Sequence, residues 1–195
     1  TPISQTLFYF TEDSVKEADA PKKGAIVFLR SCDLHGLRRL DDMYLRNGKE
    51  KDFFYNRIRE HVHFVLIGCT HSYQDCLCVS MGANKIDDGY VFSIEPRDEG
   101  FASEIKDDAF TSYFVGQKED VAVSYVTENE TKVNVPDRVP LSIYKSDMWR
   151  EYDARCIGCG RCTLVCPTCT CFTMQDTFYD AKGKVGERRR VNASC

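Results

Sequence analysis

Cys156, Cys159, Cys162 and Cys166, with Pro167 directly after them, space four thiols as C-x2-C-x2-C-x3-C-P. This is the bacterial ferredoxin run. Thiols two residues apart let one tight loop wrap three corners of a cuboidal 4Fe–4S cluster. Gly158 and Gly160 relieve the backbone where it bends and let amides come close to sulfur. Zinc is the competing chemistry. Zinc ribbons use two C-x2-C pairs separated by a long spacer, whereas here a third cysteine follows at once and Cys-Pro closes the run. In two-cluster ferredoxins the fourth cysteine ligates the other cluster. No second such run is present, and only Cys169, Cys171 and Cys195 follow. Either Cys166 or Cys195 completes the cluster locally, or a second run lies beyond Cys195.

A second group of thiols lies upstream. Cys69-x6-Cys76-x-Cys78 puts three in one loop, and Cys32 offers a fourth. A one-residue gap suits a loop wrapping a large cluster better than one enclosing a single zinc ion. Isolated cysteines such as Cys32 and Cys69 also serve as small buried hydrophobes. The density of thiols among the polar residues His71, Gln74 and Asp75 favours ligation. The candidate ligands are therefore Cys32, Cys69, Cys76, Cys78, Cys156, Cys159, Cys162 and Cys166, for two or more 4Fe–4S clusters, and no residue is expected to be catalytic.

The elements around these thiols follow from the apolar pattern. Ser14 with Glu17 reads as a capping box for a short early helix. After a turn at Lys22–Gly24, Ala25–Leu29 reads as a buried strand. Asp33 then caps a helix carrying Leu34, Leu37, Leu40 and Tyr44, which ends at Asn47–Gly48. Phe53, Phe54, Arg57 and Ile58 suggest a second helix, and His61–Gly68 a second strand. Strand, helices, strand favours parallel pairing in an α/β layer. Cys32 and Cys69 then lie just past the two strand ends, the edge where such sheets place ligands. Residues 89–145 look strand-rich, with Tyr90–Ile94, Val121–Val126 and Lys132–Val135 as strands and turns at Glu128–Asn129 and Pro136–Asp137.

Other signals are weaker. His61 and His63 would share a face, where a half-exposed strand is favoured over a metal pair. His71 lies inside the cysteine loop, where it would either be solvated or tune a cluster by hydrogen bonding. Arg188–Arg190 reads as a solvated basic face, with docking to an acidic partner as the lesser reading. The stretch after Phe178 is poor in large apolar side chains, so the tail is expected to depend on its cluster for order. No G-x-G-x-x-G, P-loop, G-x-S-x-G or H-E-x-x-H motif occurs.

The totals bound the class. Eleven cysteines in 195 residues are odd in number and too sparse for a small disulfide scaffold. Apolar residues make up 43% and charged residues 29%, and mean hydropathy is −0.39. The longest apolar runs, Ala25–Leu29 and Phe64–Cys69, are far too short to cross a bilayer. A net charge of −4 argues against nucleic-acid binding. The chain starts at Thr1 and its composition does not taper at Cys195, which suggests a piece of a longer protein. No secretory signal is legible.

Taken together, the run Cys156–Cys166, Pro167-Thr-Cys-Thr-Cys-Phe172, Gly186-Glu-Arg-Arg-Arg-Val191 and Ala193-Ser-Cys195 resembles the A subunit of anaerobic sulfite reductase. Arg30-Ser-Cys-Asp-Leu-His35, Leu40-Asp41 and Cys69 with Cys76-Leu-Cys-Val-Ser-Met-Gly82 resemble the same subunit, and they are similar to sulfhydrogenase beta subunits. The resemblance spans residues 24–195. It implies a cytoplasmic electron-transfer subunit carrying 4Fe–4S clusters. In the sulfite reductase that subunit stands between a flavin subunit oxidising NADH and a sirohaem subunit reducing sulfite.

The expected fold is α+β: an α/β-like layer with a strand-rich middle over residues 1–150, followed by a ferredoxin-like iron–sulfur segment over 151–195. The expected role is a non-catalytic, cytoplasmic electron carrier between the flavin and sirohaem subunits, without nucleic acid or a membrane span. Two alternatives are a sulfhydrogenase or other NAD(P)H-linked beta subunit and, from another class, a structural zinc-binding interaction module.

Overall fold

In a computed structural model, which describes residues 4–20, 22–116 and 120–193, Val62–Ile67 forms β4 inside a sheet ordered β3-β4-β5-β6. The other strands of this sheet are β3 (Ala25–Leu29), β5 (Phe92–Pro96) and β6 (Phe101–Ala102). β3, β4 and β5 pair in parallel, and β6 returns antiparallel. Parallel neighbours need a crossover. Between β3 and β4 it is made by α1 (Ser31–Asp41), a π-helical turn over Asp42–Arg46, and α2 (Phe53–Arg59). Asp33 accepts the Arg30 backbone N–H at 3.2 Å. It therefore sits three positions inside the helix as the return arm of a capping box, not at the cap. The helix starts earlier than the spacing suggests, which puts Cys32 in its first turn. It ends at Asn47, as expected.

Leu34, Phe64, Leu66, Ile86 and Tyr90 form the core of this unit, with Val27, Leu29 and Leu37 packed against it. Leu34 is 2% exposed. Leu34→Ala is expected to cost about 2–5 kcal/mol, measured as a fall in the urea midpoint with an unchanged slope. β3 is less buried than its apolar run implies. As an edge strand it is covered on one side only, and Ile26 and Phe28 remain half exposed.

The middle of the chain departs from expectation in detail. Val121–Val126 and Lys132–Val135 form no strand. Their backbone groups are satisfied by partners other than a ladder. Ser124 N–H donates to Glu95, the Asn84 amide donates to the Val126 carbonyl, and Val133 N–H donates to the Ser80 hydroxyl. β-branched alternation here lines a loop wall.

A second unit joins residues 1–20 to 136–195, while residues 21–135 form the first. The boundary expected near residue 150 falls inside α3 (Met148–Arg155). The sheet order in this unit is β2-β1-β8-β7, all antiparallel. Its strands are β1 (Ser4–Phe10), β2 (Val15–Glu17), β7 (Phe172–Phe178) and β8 (Gly186–Asn192). The expected early helix is instead the β1–β2 hairpin. Thr11 and Ser14 bond to each other through backbone and hydroxyls, so Ser14 closes a turn and caps no helix. Within the polar tail, β8 is paired on both edges, with β1 and with β7. Arg190 is 3% exposed and bonds Gln5 at 3.0 Å, while Arg188 forks onto Asp176. The arginine run is thus built into a sheet and is not one solvated face. The fold is α+β with two sheets.

Candidate metal centre

The upstream thiols lie where the strand ends predicted. Cys32 is in the first turn of α1, Cys69 follows β4, and Cys76 and Cys78 continue the same loop. All four are partly buried. Burial pushes the Cys32 thiol above its ordinary value, and Asp33, Cys78 and Cys69 add to it. Cys69 and Cys78 therefore both lie within electrostatic reach of Cys32. Cys76 is tied in through Tyr73, whose backbone N–H donates to its sulfur at 3.3 Å. The Tyr73 ring lies 5.5 Å under the Arg30 guanidinium. Burial works against the Arg30 charge, yet its pKa is raised, because Cys69, Tyr73 and Cys32 outweigh that cost. An arginine thus faces sites where thiolate charge would gather.

The loop is held by residues that spacing did not single out. Cys69 N–H donates to the Ser124 carbonyl at 2.9 Å. Ser124 in turn donates its N–H and hydroxyl to the Glu95 carboxylate at 2.8 and 2.6 Å. Gly68 packs against that carboxylate so closely that a Cβ there would overlap it. Asn129 is 4% exposed and bonds Val79 N–H, the Ser72 hydroxyl and the Cys78 sulfur. The sequence reading put it in a turn, and a polar residue between β-branched runs was the signal missed. His71 stacks edge-on to Tyr73, and His63 to Phe110. His61 and His63 are both exposed, and His61 precedes the strand.

The second thiol group lies on the loop between α3 and α4 (Arg161–Val165). Cys156 caps α3, Cys162 is in α4, Cys166 caps α4, and all four thiols of the run are exposed. Gly158 and Gly160 have φ of 66° and 69°, which the run needs in order to bend back on itself. Gly158 N–H donates to the Cys156 sulfur at 3.4 Å, and nothing lies within 4 Å of where its Cβ would be. Hydrogen bonds from Thr168, then from the Cys169 backbone, hold the Cys166 thiol below its ordinary value against burial. Cys169 N–H donates to the Cys166 carbonyl, and the Cys171 carbonyl accepts from Ala193. Cys195 lies outside the described residues. Among the described residues, no three His, Cys, Asp or Glu side chains converge tightly enough to hold a single metal ion. A cluster asks for a wider spacing, because its thiolates bind different irons. Exposed thiols, left-handed glycines and an amide already aimed at sulfur fit such a group.

Comparison with known proteins bears on this loop directly. Residues 155–195 match the family described as a 4Fe-4S dicluster domain. The C-terminal segment is similar to iron–sulfur domains. The chain as a whole is 29% identical, over an alignment of 202 residues, to the sulfhydrogenase 2 subunit beta of Pyrococcus furiosus. That alignment covers 94% of this chain and 59% of the relative, so the chain spans little more than half of that protein's length. No solved structure matches. Among the described residues, no helix is long and apolar enough to cross a membrane. The match supports 4Fe–4S cluster binding by the C-terminal segment.

Proposed function

We propose that this chain is an iron–sulfur electron-transfer subunit of a multisubunit oxidoreductase. The observation that carries the reading is the complete C-x2-C-x2-C-x3-C-P run inside the segment that matches a 4Fe-4S dicluster domain. When bound through four thiolates, such a group takes up and returns one electron and leaves no iron open to substrate. The chain's own residues do the rest. Gly158 and Gly160 shape the C-terminal loop, and Cys156, Cys159, Cys162 and Cys166 are its proposed ligands. Cys32, Cys69, Cys76 and Cys78 are proposed to hold a further cluster, with Arg30 offsetting the negative charge that thiolates gather there.

The machine served is a sulfhydrogenase-type complex on the strength of the Pyrococcus relative. The text Ser31-Cys-Asp-Leu-His35 and Pro167-Thr-Cys-Thr-Cys171 favours instead a sulfite reductase with flavin and sirohaem partner subunits. Capture of the tagged chain from its native host under anaerobic conditions separates the two. Co-purifying nickel supports the first, sirohaem the second. A colourless protein with zinc and no acid-labile sulfide overturns both. A cytoplasmic setting, which keeps thiols reduced, belongs to the same proposal.

The upstream site has its own test. Cys76→Ser in the full chain is expected to remove one cluster's iron and sulfide and leave the rest. Unchanged iron and sulfide after anaerobic reconstitution means that the loop thiols are structural.

A further inference from the structure

Asn129 is a buried amide with a defined orientation. Its Oδ1 accepts the Val79 N–H at 2.9 Å, and its Nδ2 donates to the Ser72 hydroxyl at 2.9 Å. The Val79 bond decides which end is which, because a backbone N–H needs an acceptor. Both amide atoms lie 3.7 Å from the Cys78 sulfur. A protonated thiol could donate to Oδ1. A metal-bound thiolate has no proton, so the contact that survives is Nδ2–H to sulfur.

The residue is also held rigidly. Its segment is fastened along the cysteine loop by Thr131, which donates to the Gln74 carbonyl at 2.7 Å, and by Val133, which bonds Ser80 at 3.1 Å. Asn84 donates to the Val126 carbonyl at 2.8 Å, and Ser31, next to Cys32, donates to the Asn84 carbonyl at 2.7 Å. An amide so fixed does not swing away when charge at its partner changes. Hydrogen bonds to cluster sulfurs and ligand thiolates are a recognised control on reduction potential.

We propose that Asn129 sets the reduction potential of the cluster held by the Cys69–Cys78 loop, by donating Nδ2–H to the Cys78 thiolate. This rests on the reading of Cys78 as a cluster ligand. Addition of an electron at that site raises the negative charge on the Cys78 sulfur, and the Asn129 donor stabilises it. Asn129 therefore favours the reduced state and holds the potential up. No other side chain bonds the Cys78 sulfur among the described hydrogen bonds, so its loss has no substitute in place.

The test is an EPR-monitored redox titration of the full chain, reconstituted anaerobically and poised with dithionite and mediators. It compares wild type, Asn129→Asp and Asn129→Ala, with iron, sulfide and thermal midpoint measured on each. Asn129→Asp keeps the shape and the acceptor for Val79 but replaces the donor with a negative oxygen. Asn129→Ala removes both without adding charge. In both, iron is expected to stay and one potential to move negative, further in the aspartate variant. The shift expected for alanine is a tenfold change in the reduction equilibrium, about 59 mV for one electron, with the other potentials unmoved. Unchanged potentials at full iron content overturn the proposal. Loss of that cluster in both variants also overturns it, because Asn129 then holds the loop and does not tune it. A wild-type chain with no signal sensitive to Cys76→Ser defeats the underlying reading and, with it, this one.

Discussion

Cys159→Ser is expected to strip one cluster's iron and acid-labile sulfide from the chain and to leave the upstream thiol group's complement intact. Cys159 is exposed and sits between two glycines in the left-handed region. A serine there fits sterically but offers a hard hydroxyl where iron–sulfur chemistry selects a soft thiolate. Cysteines at 169 and 171 are close in sequence, yet Cys169 is bound into the turn after Cys166, and the Cys171 carbonyl is committed to Ala193. The visible absorbance of the C-terminal cluster should disappear with the metal. The sheet should not. β8 pairs with β7 along its full length and with β1 over Gly186–Val191, so amide protons of β8 should exchange as slowly in the variant as in wild type. Full iron content in Cys159→Ser would remove the ferredoxin reading of the run. Rapid exchange in β8 would show instead that the cluster orders the tail.

Gly68→Ala is expected to destabilise the first unit and its cysteine loop together. Gly68 N–H donates to Ile94 at 2.8 Å, which ties it to β5 with Glu95 alongside. An added Cβ would occupy the space of the Glu95 carboxylate. Glu95 is 9% exposed, and its carboxylate receives two hydrogen bonds from Ser124. It can move only by breaking them, and Ser124 in turn supplies the acceptor for Cys69 N–H. The cost combines overpacking with the partial loss of charged hydrogen bonds, about 3 kcal/mol or more. Two readouts should move together, a lower urea midpoint and a loss of iron from the upstream site. Glu95→Ala in the Gly68→Ala background should recover part of the stability by vacating the space, without restoring the tie to Cys69. An unperturbed midpoint in Gly68→Ala would mean that the close approach at Glu95 is not rigid.

What could be read from the residue order was whatever depends on near neighbours along the chain. The run Cys156–Cys166 carries its proposed chemistry in its spacing, which suits one short loop reaching several irons, and the two glycines in it have the left-handed φ values the bend demands. The α1–α2 crossover and the parallel β3–β4 pair followed from apolar periodicity, and with them the placement of Cys32 and Cys69 beyond two adjacent strand ends. What could not be read was decided by partners far away in sequence. Ser4 pairs with Val191 and Phe10 with Gly186, so a tail too polar to bury itself gains a strand on each side, and Arg190 at the end of an arginine run is buried against the sheet. Val121–Val126 has the alternation of a strand, but its backbone groups find Glu95, Cys69 and Asn84 first. Asn129 looks like any turn residue until folding brings Ser72, Cys78 and Val79 to it across some fifty positions. Ligand spacing is local and covalent, and so it survives in the sequence. The hydrogen bonds that hold those ligands in place exist only once distant segments have met, because a buried polar group takes whichever partner the completed fold supplies.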